Sequence, residues 1–211
     1  MSVLTDLYKE IALCQKCEIA RSRTRAVPGE GAENAEIMFI GEAPGYHEDQ
    51  QGRPFVGPAG QYLDRLLASI NLKRQDVYIT NVIKTRPPSN RDPLPNEIVN
   101  CQPWLDRQIE LIRPRMIVTL GRYSMAKFFP GTTISKIHGT AQKRSGVLYF
   151  AMYHPAAALH QQSLRQAIDA DMLKIPAFLA EAKNIVETKP VPPPKLAQEA
   201  ELPQQQQLKM F

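Results

Sequence analysis

The stretch Glu36-Ile37-Met38-Phe39-Ile40-Gly41-Glu42-Ala43-Pro44-Gly45 decides the fold. A short apolar run, Glu36 to Ile40, passes at once into a glycine-bounded turn, the pattern of a strand delivering a loop at its end. Three more runs of this kind follow: Val77–Thr80, Met116–Leu120 and Val147–Tyr153. Helical patterns lie between them at Ala59–Ile70, Pro95–Ile112 and Arg122–Phe129, with Leu164–Lys183 after the last. Strands alternating with helices predict an α/β fold of three layers, α/β/α, around a central, mainly parallel four-stranded sheet. Ligands of such sheets bind outside the carboxyl ends of the strands.

Those strand ends carry polar residues. They deliver Glu42 from the first turn, then Asn81, then Gly121-Arg122, then His154-Pro155. An acid, an amide and an imidazole thus converge on one rim, which makes the rim the candidate active site. Gly allows unusual backbone angles and Pro fixes φ, so Gly41 to Gly45 can be held against a ligand; alone, the segment reads equally as a tight βα turn. Glu48-Asp49 and then Gly52 to Gly60 form a long glycine- and proline-rich loop with one aromatic, Phe55. Loops of that length in compact domains are usually functional or disordered.

The bulk properties narrow the classes. A chain of 211 residues with 43% hydrophobic residues suits one domain with a sizeable core plus a little extra. No apolar run approaches the ~18 residues of a membrane span. Met1 to Leu13 reads as an amphipathic helix, not a signal peptide, so a cytoplasmic, nucleoid-associated monomer is expected. The net charge of +5 favours approach to phosphate but does not by itself identify a nucleic-acid binder. Three cysteines, an odd number, argue against a disulfide framework. Composition shifts near Glu187, so residues 1–186 are expected to fold and residues 187–211, rich in Pro and Gln, to form an extended tail.

The run from Gly41 to Gly60, GEAPGYHEDQQGRPFVGPAG, resembles the first motif of the family 4 (iron–sulfur) uracil-DNA glycosylases along its whole length. Asn81-Val82-Ile83-Lys84, Arg86 to Pro93 and Tyr153-His154-Pro155-Ala156-Ala157-Ala158-Leu159 resemble the later motifs in order and spacing. The resemblance covers about residues 1–180. It implies a DNA repair enzyme that hydrolyses the N-glycosidic bond of uracil, frees the base and leaves an abasic site. Such enzymes flip the nucleotide out of the duplex into a pocket. Phe55 would stack on the uracil, and Asn81 would read its edge by donating to O4 and accepting from N3–H. Gly41, Glu42 and Ala43 would approach through backbone groups. His154 would donate to O2 as it gathers charge, Asn90 would position the base or the sugar, and Glu42 or Glu48 would accept from the attacking water. Leu159 is the expected minor-groove wedge. Arg165, with Arg122, Lys143 and Arg144, is an expected phosphate contact.

Cys14-Gln15-Lys16-Cys17 with a distant Cys101 reads better as a cluster site than as a redox pair, because no strand precedes it. The family's four-iron, four-sulfur cluster uses four cysteines; Cys14, Cys17 and Cys101 match three, and Thr85 stands where the fourth belongs. Three readings stay open: a cluster with one open site, a cluster lost, or an altered residue 85.

Gln207, Leu208, Met210 and Phe211, within the last five residues, resemble the pentapeptide that binds the bacterial sliding clamp. A polar segment presenting Leu, Met and Phe to an apolar groove suits that role. The competing function is a non-catalytic module that binds uracil-containing DNA and recruits repair factors through the clamp. A covalently crosslinking relative is set aside, because no histidine-bearing insertion follows Asn81.

Overall fold

The computed structural model describes residues 2–183, in which one mixed sheet is flanked by helices. Helix α1 (Val3–Leu13) starts at Ser2, whose hydroxyl accepts from the Thr5 N–H at 3.2 Å and so satisfies an otherwise free first-turn donor. Then come β1 (Glu30–Gly31), β2 (Ile37–Gly41), α2 (Tyr46–Gln51), α3 (Pro58–Ser69) and β3 (Tyr78–Asn81). The chain continues through α4 (Pro95–Ile112), β4 (Met116–Leu120), α5 (Arg122–Phe128), α6 (Ile134–Ile137), β5 (Ala141–Arg144) and β6 (Val147–Met152). It closes with α7 (Gln162–Met172) and α8 (Ile175–Lys183). Strand order is β1-β3-β2-β4-β6-β5.

The four strands expected from the sequence are the four parallel ones at the centre, within a residue or so at each end. Every residue of β2, β3 and β4 is buried, as a sheet covered on both faces requires. The sheet has six strands rather than four. Short β1 and β5 add antiparallel edges on β3 and β6. Neither carries an apolar run: β1 is two residues long, and β5 reads Ala-Gln-Lys-Arg, the charged composition that protects an edge from further pairing.

Two other expectations change. The long run Leu164–Lys183 divides into α7 and α8, because Pro176 has no N–H to donate and its ring would clash with the carbonyl four residues earlier. The loop after Gly45 is partly helical: Tyr46–Gln51 winds into α2 and ends at Gly52. No helix among the described residues is long and apolar enough to cross a membrane. The expected tail, residues 187–211, with Gln207, Leu208, Met210 and Phe211, lies outside the described residues.

Candidate active site

Parallel pairing brings the strand ends into register. Gly41 stands opposite Asn81, so β2 and β3 release the Glu42 turn and the Asn81 side chain side by side. The pairing continues past the strands, where the Val82 N–H donates to the Gly41 carbonyl at 3.0 Å and the Ile83 N–H to that of Glu42 at 3.2 Å. Gly41 has to be glycine: a Cβ there would lie 2.3 Å from Asn81 Oδ1 and 2.6 Å from the Phe55 ring. Gly121, at the end of β4, has φ +87° and would bring a Cβ to 3.0 Å from that of His154.

Phe55 is buried and has φ 52°, a conformation that costs a non-glycine residue about 1–3 kcal/mol and persists only where the surroundings enforce it. Two clamps enforce it. Arg74 donates to the carbonyls of Phe55 at 3.0 Å and Pro54 at 2.5 Å while pairing with Glu30 and Asp64. Glu48 Oε1 accepts from the N–H groups of Val56 and Gly57, both at 2.9 Å, and Oε2 from that of Gly45 at 3.1 Å. The Phe55 ring is held nearly parallel to the His154 imidazole, centroids 5.5 Å apart and planes 27° apart.

These groups enclose a cavity of about 310 Å³ lined by Glu42, Phe55, Asn81, Asn90, His154 and neighbouring backbone. Burial pushes the His154 pKa down to about 4, with the charge of Glu48 opposing it. The ring is therefore neutral at neutral pH. Its Nδ1 accepts from the Ala156 N–H at 3.1 Å, so the single proton sits on Nε2. Glu42 moves the other way: burial raises its pKa to about 7, Asp92 adds to the rise and Arg122 opposes it. Asn81 is almost fully buried, and its Oδ1 has no hydrogen-bond partner among the described residues. An orphaned buried acceptor carries a desolvation penalty that a guest donor removes. Asn90, with φ 55°, accepts from Arg86 Nε at 2.7 Å at the cavity mouth.

The expected groups thus meet in one place, with their duties divided differently. Both oxygens of Glu48 are engaged in holding the loop, whereas Glu42 lines the cavity with no side-chain hydrogen bond among the described residues. Leu159 is 44% exposed at the end of a 3-10 turn, Pro155–Leu159, that follows His154. Arg165 lies in the first turn of α7. Arg122 pairs with Asp92 near Glu42. Lys143 and Arg144 belong elsewhere, since they pair with Leu148 and Val147 at the start of β6, the end of the sheet away from His154. Arg74 was not anticipated, and no sequence signal marks it, because it is one charge in a polar connection.

The cysteines gather at a second corner. Cys14 caps α1, Cys17 follows it, and Cys101 is buried in α4, its sulfur accepting from the Lys84 N–H at 3.5 Å. Buried Thr85 takes the fourth place, and its hydroxyl accepts from Arg23 Nη1 at 3.1 Å. Arg23 Nη2 also donates to the carbonyls of Ala12 at 2.6 Å and Cys14 at 2.9 Å. Among the described residues no group of three or more His, Cys, Asp or Glu is arranged to hold a metal ion. A set of four thiolates does not fit: a hydroxyl stands in place of the fourth sulfur, and a guanidinium binds it.

An α/β sheet with an acid, an amide and a neutral imidazole around a cavity at its strand ends has the arrangement of a pocket enzyme. The family model "Uracil DNA glycosylase superfamily" matches residues 28–180. The chain is 49% identical over 184 residues to a type-4 uracil-DNA glycosylase of Archaeoglobus fulgidus, covering 83% of this chain and 92% of that protein. It is 47% identical over 185 residues to one from Sulfurisphaera tokodaii (83% and 84% covered) and 39% over 184 to one from Thermotoga maritima (85% and 94%). The chain belongs to the type-4 uracil-DNA glycosylases of that superfamily.

Proposed function

We propose that the protein hydrolyses the N-glycosidic bond of uracil in DNA, releasing uracil and leaving an abasic site. The observation that carries this reading is the pairing of a neutral Nε2-protonated His154 with the unpartnered amide oxygen of Asn81 in one cavity. Uracil presents a donor, N3–H, between two acceptors, O2 and O4. Asn81 accepts from N3–H and donates to O4, while His154 donates to O2. Cytosine offers a bare N3 and a donor amine instead, so an amide held in this orientation rejects it. Phe55 supplies a flat apolar face, and Gly41, Glu42 and Ala43 meet the base through backbone groups.

As the bond between C1′ and N1 breaks, its electron pair passes into the uracil ring and negative charge gathers on O2. A fixed neutral donor stabilises that charge as it develops, the logic of an oxyanion hole. Water adds to C1′ and gives its proton to the Glu42 carboxylate, whose pKa of about 7 suits a proton acceptor near neutral pH. Glu48 positions Phe55 by holding its loop, and Asn90 positions the base or the sugar at the mouth. Leu159 enters the minor groove beside the flipped nucleotide, and Arg165 contacts backbone phosphate.

Cys14, Cys17 and Cys101 are the side chains that would hold an iron–sulfur cluster through their thiolates, with Thr85 supplying no fourth one. Such a cluster is a structural staple in this reading, and no step of base excision involves it. Gln207, Leu208, Met210 and Phe211 anchor the protein to a sliding clamp on the nucleoid. Removing residues 207–211 should abolish clamp binding in calorimetry; equal affinity with and without them would end that part of the reading. The enzyme reading is tested by incubating the purified protein with uracil-containing oligonucleotides. Free uracil and an unnicked abasic strand are expected, and no release from either single-stranded or U·G DNA would overturn it.

A further inference from the structure

Beside the cavity, a second groove of about 180 Å³ runs between α3 and α7, with Leu66 in its floor and Ser69 and Leu173 farther along. At its centre is Tyr62, a buried ring with two guanidinium groups over it. Those of Arg65 and Arg165 each lie 5.5 Å from the ring centroid. The tip of the ring is held in place, because its hydroxyl donates to Asp169 Oδ1 at 2.6 Å and lies 3.3 Å from the Arg165 carbonyl.

Ordering two long cationic side chains against one ring loses rotamer entropy and sets like charges together. Six arginines among the described residues meet a carboxylate: Arg53 and Arg74 share Glu30, Arg91 meets Glu97, Arg107 meets Glu10, Arg115 meets Glu36 and Arg122 meets Asp92. Among the described residues neither Arg65 nor Arg165 forms an ion pair. The two acids nearby are otherwise engaged, Asp64 with Arg74 and Asp169 with the Tyr62 hydroxyl. The guanidiniums are thus exposed, lie over an aromatic plane and form no ion pair among the described residues, a geometry suited to phosphate oxygens.

The position of the groove selects the source of the phosphate. The 3-10 turn Pro155–Leu159 packs against both α3 and α7 at the head of the groove. Arg165 lies in the first turn of α7, six residues after Leu159. We propose that Arg65 and Arg165, braced on Tyr62, form a clamp for DNA backbone phosphates flanking the flipped nucleotide. This rests on the glycosylase reading for the placement of DNA and extends it by naming a path for the flanking strand, by adding Arg65, and by giving Tyr62 the role of brace.

The test measures binding of the full chain to uracil-free duplex and single-stranded oligonucleotides across a salt series. Using uracil-free DNA separates the clamp from base excision, so the result stands even for a protein that releases no uracil. Arg65→Ala and Arg165→Ala should each weaken binding alike for all sequences and lower the steepness of log K against log salt by roughly one. The double variant should lower it by roughly two, and the lysine variants R65K and R165K should retain the parental slope because they keep the charge. A merely structural role for the arginines would lower the thermal midpoint and leave the salt slope alone. Arg65 is exposed, so Arg65→Ala alone decides the matter if the double variant does not fold. A parental slope in folded Arg65→Ala would overturn the clamp.

Discussion

The cavity and the cysteine corner are joined by one segment, and they are built differently. Asn81 closes β3 on the cavity side, and Thr85, four residues on, faces the cysteines. Between them buried Lys84 donates to Thr80 Oγ1, the Asn81 carbonyl and Gln108 Oε1, each at 2.7 Å, and so fastens the segment to α4. In the cavity, polar groups are left incomplete: the Asn81 oxygen has no partner among the described residues, and the Glu42 carboxyl is burdened by burial. At the cysteine corner Arg23 joins Thr85 to the end of α1 by three hydrogen bonds, while the buried Trp104 Nε1 beside Cys101 has no partner among the described residues. An unsatisfied acceptor lining a cavity gives a guest donor something to bind, whereas hydrogen bonds between segments fasten the protein to itself.

The comparison breaks most sharply at His154. His154→Ala should lower the single-turnover rate of uracil release by roughly 10²–10³, the usual loss for one donor to a developing anion, with little change in DNA affinity. A near-normal rate would remove His154 from that role. Next in size is Asn81→Asp. Its carboxyl, protonated or reoriented, complements cytosine better than the amide does, so uracil release should fall roughly 10- to 100-fold while cytosine release becomes detectable in ordinary duplexes. Loss of both activities in a folded variant would reduce Asn81 to a binding contact.

Glu42 gives a smaller effect with a defined sign. The carboxylate can take up the proton of the attacking water only when ionised, and its pKa stands at about 7. The rate should therefore rise as pH rises through about 7 and fall below it. His154, with a pKa of about 4, stays neutral over that range and adds no second limb until far lower pH. Glu42→Gln should lower the rate and flatten the profile; an unchanged profile would assign the titration elsewhere.

The smallest effects belong to the cysteine corner and should appear in stability rather than chemistry. Arg23→Ala removes three hydrogen bonds and should cost about 2 kcal/mol, a loss of several degrees in thermal midpoint, with uracil release at low temperature intact. Thr85→Cys should raise bound iron and thermal midpoint together, because the new thiolate completes the ligand set. Iron content unmoved by that substitution would mean the corner no longer accepts a cluster.

How much was legible beforehand divides along the same line. The four central strands are continuous apolar runs, and burial on both faces is what such a run records. Gly41, Glu42, Asn81 and His154 stand at the ends of those runs, so locating the strands located the cavity. Strands β1 and β5 left no apolar trace because edge strands are short or charged. The break before α8 was carried by a single proline inside an otherwise helical pattern. Glu42 and Glu48 looked interchangeable as acceptors, being six residues apart in one motif.

The sequence by itself determined the order of strands and helices, the parallel core and the side chains delivered at the strand ends, because burial periodicity and turn chemistry are local properties of the chain. Only the tertiary structure decided which carboxylate holds the loop. Glu48 meets the N–H groups of Val56 and Gly57 because α2 folds back on the Phe55 loop, and Glu42 is raised by walls that other strands supply. It likewise decided that Arg23 reaches Thr85, 62 residues away, and that Arg65 and Arg165 meet on one ring. Hydrogen bonds and desolvation act over a few ångströms in space, so the states of these groups are set by neighbours that the linear order of residues does not reveal.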